Sequence, residues 1–311
     1  MNMQAPTISI VAPLYNEEKS FSALVERMTA ILDSFDVSIQ VVLVNDGSSD
    51  NTPYLMKLLS EKDKRFKSVF LSRNHGHQLA VSAGMHHADG TEAIMIIDGD
   101  LQDPPELIAD FYAKLKEGYD VVYAVRKNRK ENLVLKTAYW AYYRLQRMVS
   151  NYNIPIDSGD FCMISKRVRD IMVSMPEESR YLRGMRSWVG FHQYGFEYDR
   201  AERHAGESKY TLRKLMELAF NGIFNFSKFP VHLMYRLGLT SIVISILYMI
   251  YLTFKKIMGY ELPEGYYTLI FAISFFSGVQ LVSIGLIGEY VFRTYNQVRK
   301  RPLFIVDKVI N

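Results

Sequence analysis

The sequence predicts an α/β domain built on a largely parallel sheet, followed by two membrane-spanning helices. Short β-branched runs alternate with stretches of helical periodicity over the first 124 of the 311 residues. Polar clusters follow the first four of those runs. Two uncharged apolar stretches long enough to cross a bilayer lie in the last quarter of the chain.

Strands are expected at residues 8–12 (ISIVA), 38–44 (SIQVVLV), 68–71 (SVFL), 93–97 (AIMII) and 120–124 (DVVYA), each short enough to be buried. Helical periodicity fills residues 21–34 and 53–62 between them. In open sheets of this kind, ligands bind beyond the carboxyl ends of the strands. YNEE, NDGSSDNT, SRNHGHQ and DGDLQD follow strands one to four, so four strand ends converge on one crevice.

The apolar stretches, residues 237–254 and 267–288, carry no charge. Lys228, His232 and Arg236 precede the first, and Arg293, Arg299, Lys300 and Arg301 follow the second. The linker KKIMGYELPEG balances its two Lys with two Glu. The positive-inside rule then puts both chain ends in the cytoplasm and the linker outside. Residues 133–152 and 210–229 mix aromatic and cationic side chains, as expected of interfacial helices or of packing against the domain or a second subunit. The expected organisation is a catalytic domain at 1–230, two spans within 231–292, and a cytoplasmic tail at 293–311.

The charge balance, 37 Lys plus Arg against 33 Asp plus Glu, is too even to point to nucleic acid. Cys162 is the only cysteine, which rules out an intrachain disulfide and suits a reducing compartment. The first residues lack the pattern of a signal peptide, so the first domain is expected in the cytoplasm.

IMIIDGDLQDPPE, residues 94–106, places three carboxylates at the mouth of a buried strand. Asp98 and Asp100 form a D-x-D pair that can share Mg²⁺ or Mn²⁺ with a bound diphosphate. An EF-hand loop fails here, because the sixth residue from Asp98 is Asp103 rather than Gly and the twelfth is Ala109 rather than Glu. A phosphatase with a nucleophilic first Asp would also place acids here, but the rest of the chain offers it no support. Asp103 is expected to cap the helix at PPEL or to support the site from behind. Asp46, in VNDGSSDNT, can accept hydrogen bonds from a nucleobase, while Asp50 is expected to cap the next helix. No Cys or third His is spaced to join His75 and His77 in a zinc site, so they are expected instead to line the loop after the third strand.

VAPLYNEE, VNDGSSDNT, SRNHGHQLAVSAG, IDGDLQDPPE, DSGDFCMISKR and RHAGESKY, in that order, resemble the polyprenyl-phosphate branch of glycosyltransferase family two. The bactoprenol glucosyltransferases, which carry two C-terminal membrane spans, are the most similar type. The resemblance implies a GT-A (Rossmann-like) fold and inverting transfer of a hexose from a nucleotide-sugar donor, UDP-linked by expectation, to undecaprenyl or another polyprenyl phosphate. It also implies a bacterial inner-membrane location and a Mg²⁺ or Mn²⁺ cofactor.

Carried over by motif, Pro13, Tyr15, Glu17 and Asp46 would hold the nucleotide. Asp98 and Asp100 would hold metal and diphosphate, and Arg203, Ser208 and Lys209 would neutralise phosphates. Asp157 or Asp160 would sit opposite the leaving group as catalytic base or orienting group, with Asp157 the first choice. A processive polysaccharide synthase would need further spans and a Q-x-x-R-W segment, which the sequence lacks. A membrane-bound sugar-nucleotide sensor would bind donor without turnover. The aromatic segments could mediate assembly into a homo-oligomer.

Overall fold

The computed structural model describes residues 5–126, 158–178, 180–199, 229–258 and 265–311. Its centre is one eight-stranded mixed sheet: β1 (Ile8–Leu14), β2 (Ile39–Asn45), β3 (Phe66–Leu71), β4 (Ala93–Ile96), β5 (Val121–Arg126), β6 (Ser158–Ser165), β7 (Gln193–Tyr198) and β8 (Val306–Ile310), in the spatial order β7-β5-β6-β4-β1-β2-β3-β8. The block β4-β1-β2-β3 is parallel throughout. Every residue of β1 and β2 is buried, as expected of central strands covered on both faces.

Helices α1 (Glu18–Ser34), α2 (Thr52–Lys62) and α3 (His77–His87) connect the parallel strands in turn. A short 3-10 turn (Pro105–Leu107) leads into α4 (Ile108–Lys116), and α5 (Lys166–Ser174) and α6 (Leu182–Val189) follow β6. Alpha-3 packs closely on β1 and β2 because residue 84 is Gly. A Cβ there would come within 2.3 Å of Val11 and 3.0 Å of Val44.

All five expected strands form, but the sheet is less parallel than the sequence suggests. Strand β6 runs antiparallel between β4 and β5, and β8 runs antiparallel on the outer edge of β3. The opening SGD of β6 reads as a loop in sequence, and QYGFEY of β7 lacks a clean period-two pattern. Strand β8 lies in the segment expected to be a plain tail. Lys64 Nζ donates to the Asn311 carbonyl at 2.7 Å, and Ser72 N donates to the Ile305 carbonyl at 3.0 Å, which ties β8 down beyond its ladder.

The contacts divide the chain into two compact units, and residues Pro302–Asn311 belong to the unit that holds the sheet. The second unit contains two long helices, α7 (Phe229–Ile257) and α8 (Tyr266–Arg299). Among the described residues one stretch, Phe275–Arg299, is long and apolar enough to cross a membrane. The apolar stretch found in α7, Ile246–Lys255, is shorter than a bilayer requires. The interfacial helices expected at 133–152 and 210–229 fall almost wholly outside the described residues.

Candidate active site

The strand order reverses beside β1, which has β2 on one side and β4 on the other although the chain reaches β4 only after β3. Such a switch point opens a crevice at the carboxyl ends of the strands. Pro13, Tyr15 and Glu17 lie at the end of β1, Asp46 at the end of β2, and Asp98 and Asp100 just beyond β4. Beta-6, being antiparallel, starts where β4 ends and brings Asp160 to the same rim.

The two loops on the β1 and β2 side are laced together. Asn16, at φ 54°, donates its N–H to Ser48 Oγ at 3.0 Å, and its side-chain oxygen accepts the Ser49 N–H at 2.8 Å. Glu17 N–H donates to Thr52 Oγ1 at 3.0 Å. Asp50 accepts the N–H groups of both Thr52 and Glu18, so it pins two helix starts rather than one. Gly47, at φ 65°, lets its loop press against the next one, since a Cβ would fall 2.4 Å from the Asn74 nitrogen.

Asp46 is buried, and its two oxygens accept the N–H groups of His75 (2.7 Å) and Gly76 (3.0 Å). It therefore fixes the turn that starts α3. Burial and the nearby Arg73 lower the His75 pKa against the pull of Asp46.

That turn aims His77 at the acids. His77 Nε2 lies 3.5 Å from Asp98 Oδ1 and 3.5 Å from Asp160 Oδ2. Asp160 also accepts Gln78 Nε2 at 3.0 Å and Arg183 Nε at 2.8 Å. Gln78 completes the link by accepting the Leu182 N–H at 2.9 Å, which joins α3 to the start of α6.

The charges follow from this arrangement. Burial raises the Asp98 carboxyl, His77 opposes, and repulsion from Asp103, Asp160 and Asp100 adds to the rise, leaving it at about 6. Burial works against a charged His77, but the hydrogen bond to Asp160 and the charges of Asp98 and Asp160 prevail and hold it at about 9. Burial also works against an ionised Asp160, yet Arg183 and His77 outweigh it and hold that carboxyl well below the usual range. Solvent still reaches the pair, because 31% of the His77 side chain and 29% of that of Asp98 are exposed.

Asp103 is buried and accepts the Tyr198 hydroxyl. The N-cap of the turn at Pro105 is Pro104 rather than Asp103. Of its two expected roles, the structure favours support from behind. Asp157, Arg203, Ser208 and Lys209 lie outside the described residues.

Hard oxygen donors at a partly open strand end suit Mg²⁺ or Mn²⁺. Among the described residues no three His, Cys, Asp or Glu side chains converge to hold a metal ion unaided. Asp98 and Asp100 supply two such donors, and a cation there would be completed by substrate phosphates, the usual arrangement for Mg²⁺. The raised Asp98 carboxyl fits as well, since a cation would relieve the repulsion among the acids.

Sequence motifs brought His77 and Gln78 to notice inside SRNHGHQ, but not their link to Asp160. Arg183 carried no motif signal. Only the fold, which seats α6 beside β6, reveals it.

Residues 9–171 match the family described as Glycosyl transferase family 2. The chain is 42% identical over 301 residues to the Uncharacterized glycosyltransferase YkcC of Bacillus subtilis, covering 96% of this chain and 93% of that protein. It is 36% identical to the Prophage bactoprenol glucosyl transferase homolog of Escherichia coli, covering 97% of this chain and 99% of the relative. The Bactoprenol glucosyl transferase of Shigella phage SfII is also 36% identical, with 97% of each chain covered. The strand-end acids and the end-to-end likeness lead to one conclusion: the chain belongs to glycosyl transferase family 2 and is a glycosyltransferase similar to the bactoprenol glucosyl transferases.

Proposed function

We propose that this enzyme transfers one hexose, with inversion, from a nucleotide sugar to a polyprenyl phosphate at the cytoplasmic face of a bacterial inner membrane. UDP-glucose is the first donor to try and undecaprenyl phosphate the first acceptor. The carrying observation is the meeting of Asp98 and Asp160 across His77 at the switch point of the sheet. The relatives named bactoprenol glucosyl transferase support the choice of acceptor.

Pro13, Tyr15, Glu17 and Asp46 would form the nucleotide wall, with Asp46 also holding the turn before α3. A divalent cation held by Asp98 and Asp100 would neutralise the charge that grows on the departing diphosphate. Arg203, Ser208 and Lys209 would act on the same phosphates. His77, charged at neutral pH, keeps the Asp98 and Asp160 carboxylates at a fixed separation.

The acceptor itself needs little activation. A phosphate monoester has a second pKa of about 6, so its oxygen is already ionised near neutrality. Asp160, held ionised by Arg183, Gln78 and His77, is a weak base and suits orienting the acceptor, with Asp157 as its companion.

Chain connectivity supports two membrane spans. Strand β8 follows the apolar helices yet pairs with β3, so the chain between them must cross any bilayer an even number of times. If Phe275–Arg299 crosses once, a second segment must cross back. Helix α7, which precedes it in the chain, is the candidate for that second crossing.

A donor screen with purified protein, Mg²⁺ or Mn²⁺ and undecaprenyl phosphate tests the proposal by the mass of the lipid product. One hexose per lipid supports it. A polymer would indicate a processive synthase, and donor binding without any product a sensor.

A further inference from the structure

The loop that carries the two metal-binding acids is held from outside by a residue on a distant helix. Arg27, midway along α1, donates from Nε to Glu106 Oε1 at 2.9 Å and from Nη2 to Glu106 Oε2 at 2.6 Å. Its third nitrogen, Nη1, donates to the Leu101 carbonyl at 3.4 Å. One guanidinium thus grips both ends of the Leu101 to Glu106 segment.

Leu101 is in the left-handed region, at φ 59°, with its side chain buried. A leucine keeps that conformation only where its surroundings over-determine it. The peptide group that joins Leu101 to Gln102 is held on both edges. Arg27 takes its carbonyl, and its N–H donates to Asp100 Oδ1 at 3.2 Å. Turning that peptide would break both bonds together, so Arg27 helps to hold the peptide to which Asp100 Oδ1 is bonded.

Stability does not account for this arrangement. The Arg27 and Glu106 side chains are 30% and 55% exposed, and ion pairs in such settings add little to folding. The geometric value lies in the fork, which fixes a carboxylate and a carbonyl at once.

We propose that Arg27 is a positioning residue for the metal and diphosphate grip, acting on Asp100 through the Leu101 to Gln102 peptide. The proposal rests on reading Asp98 and Asp100 as the metal-binding pair.

The test uses full-length protein in detergent, with Mn²⁺ binding followed by the loss of the free-ion electron paramagnetic resonance signal, in the presence of UDP. Arg27→Met should weaken Mn²⁺ binding about tenfold, the usual effect of removing a partner that orients a metal ligand. Arg27→Lys should fall between, because an ammonium can reach one acceptor but lacks the fork. Melting temperature should stay close to wild type, while amide hydrogen exchange at residues 101–103 should speed up. Turnover lost in Arg27→Met should return at high Mn²⁺.

Equal Mn²⁺ binding by wild type and Arg27→Met would overturn the positioning role alone. Loss of Mn²⁺ binding that tracks a large fall in melting temperature in both variants would make Arg27 a structural residue and overturn it too. Wild-type protein that binds no Mn²⁺ would instead overturn the metal-grip reading, and this role with it.

Discussion

His77 Nε2 stands 3.5 Å from Asp98 Oδ1, which makes the start of α3 and the acid after β4 one electrostatic unit. Protons and a cation compete for that unit. With Asp98 held at about 6, Mn²⁺ binding should weaken as the pH falls through about 6. His77→Gln removes the positive charge that favours ionised Asp98, so the midpoint should move to higher pH. Titrating Mn²⁺ binding between roughly pH 5 and pH 8 measures this; a midpoint that stays put or moves down would contradict the pairing.

Asp98→Asn should separate activity from stability. Turnover should drop by roughly 100-fold or more, the scale of removing one main electrostatic contact from a transition state. The metal-free variant should melt no lower than wild type. The wild-type carboxyl is raised on folding, so at neutral pH its ionised form opposes the folded state, and Asn removes that cost. Turnover rates and melting curves of the purified variant decide the matter. Retained turnover would remove Asp98 from the mechanism.

Gly84→Ala probes the seat of α3, and therefore the aim of His77. The added Cβ meets Val11 at 2.3 Å and Val44 at 3.0 Å, so the helix must shift or the valines must move. Denaturant unfolding should register a loss of about 1–3 kcal/mol, the usual cost of overpacking a tight core. Full stability would mean that α3 lies further from the sheet.

The sequence made the strand-end acids legible, because D-x-D after an apolar run is a local pattern. The partners of those acids were harder to see. Asp160 and Arg183 meet only after β6 inserts between β4 and β5, and no spacing rule in the chain encodes that insertion. The choice between Asp157 and Asp160 is equally illegible in sequence, since both flank the same Gly159. Strand β8 escaped notice for a similar reason: VDKVI is short and carries two charges, and only the exposed edge of β3 gives it a place.

Lone, buried Cys162 makes the membrane topology simple to map. In a Cys162→Ser background, Gly265→Cys in the linker between the apolar helices should react with an impermeant maleimide added outside intact spheroplasts. Asn311→Cys should react only after the membrane is opened. Labelling of both sites from outside, or of neither, would contradict two crossings with both ends inside.

The central claim is tested most directly by nucleoside diphosphate release. Purified protein with Mg²⁺ or Mn²⁺ and its donor should release diphosphate in amounts that match the lipid phosphate supplied, and release should stop when lipid or metal is withheld. Failure to release any nucleoside diphosphate from the common sugar nucleotides in the presence of undecaprenyl phosphate would contradict the account, as would release indifferent to the lipid.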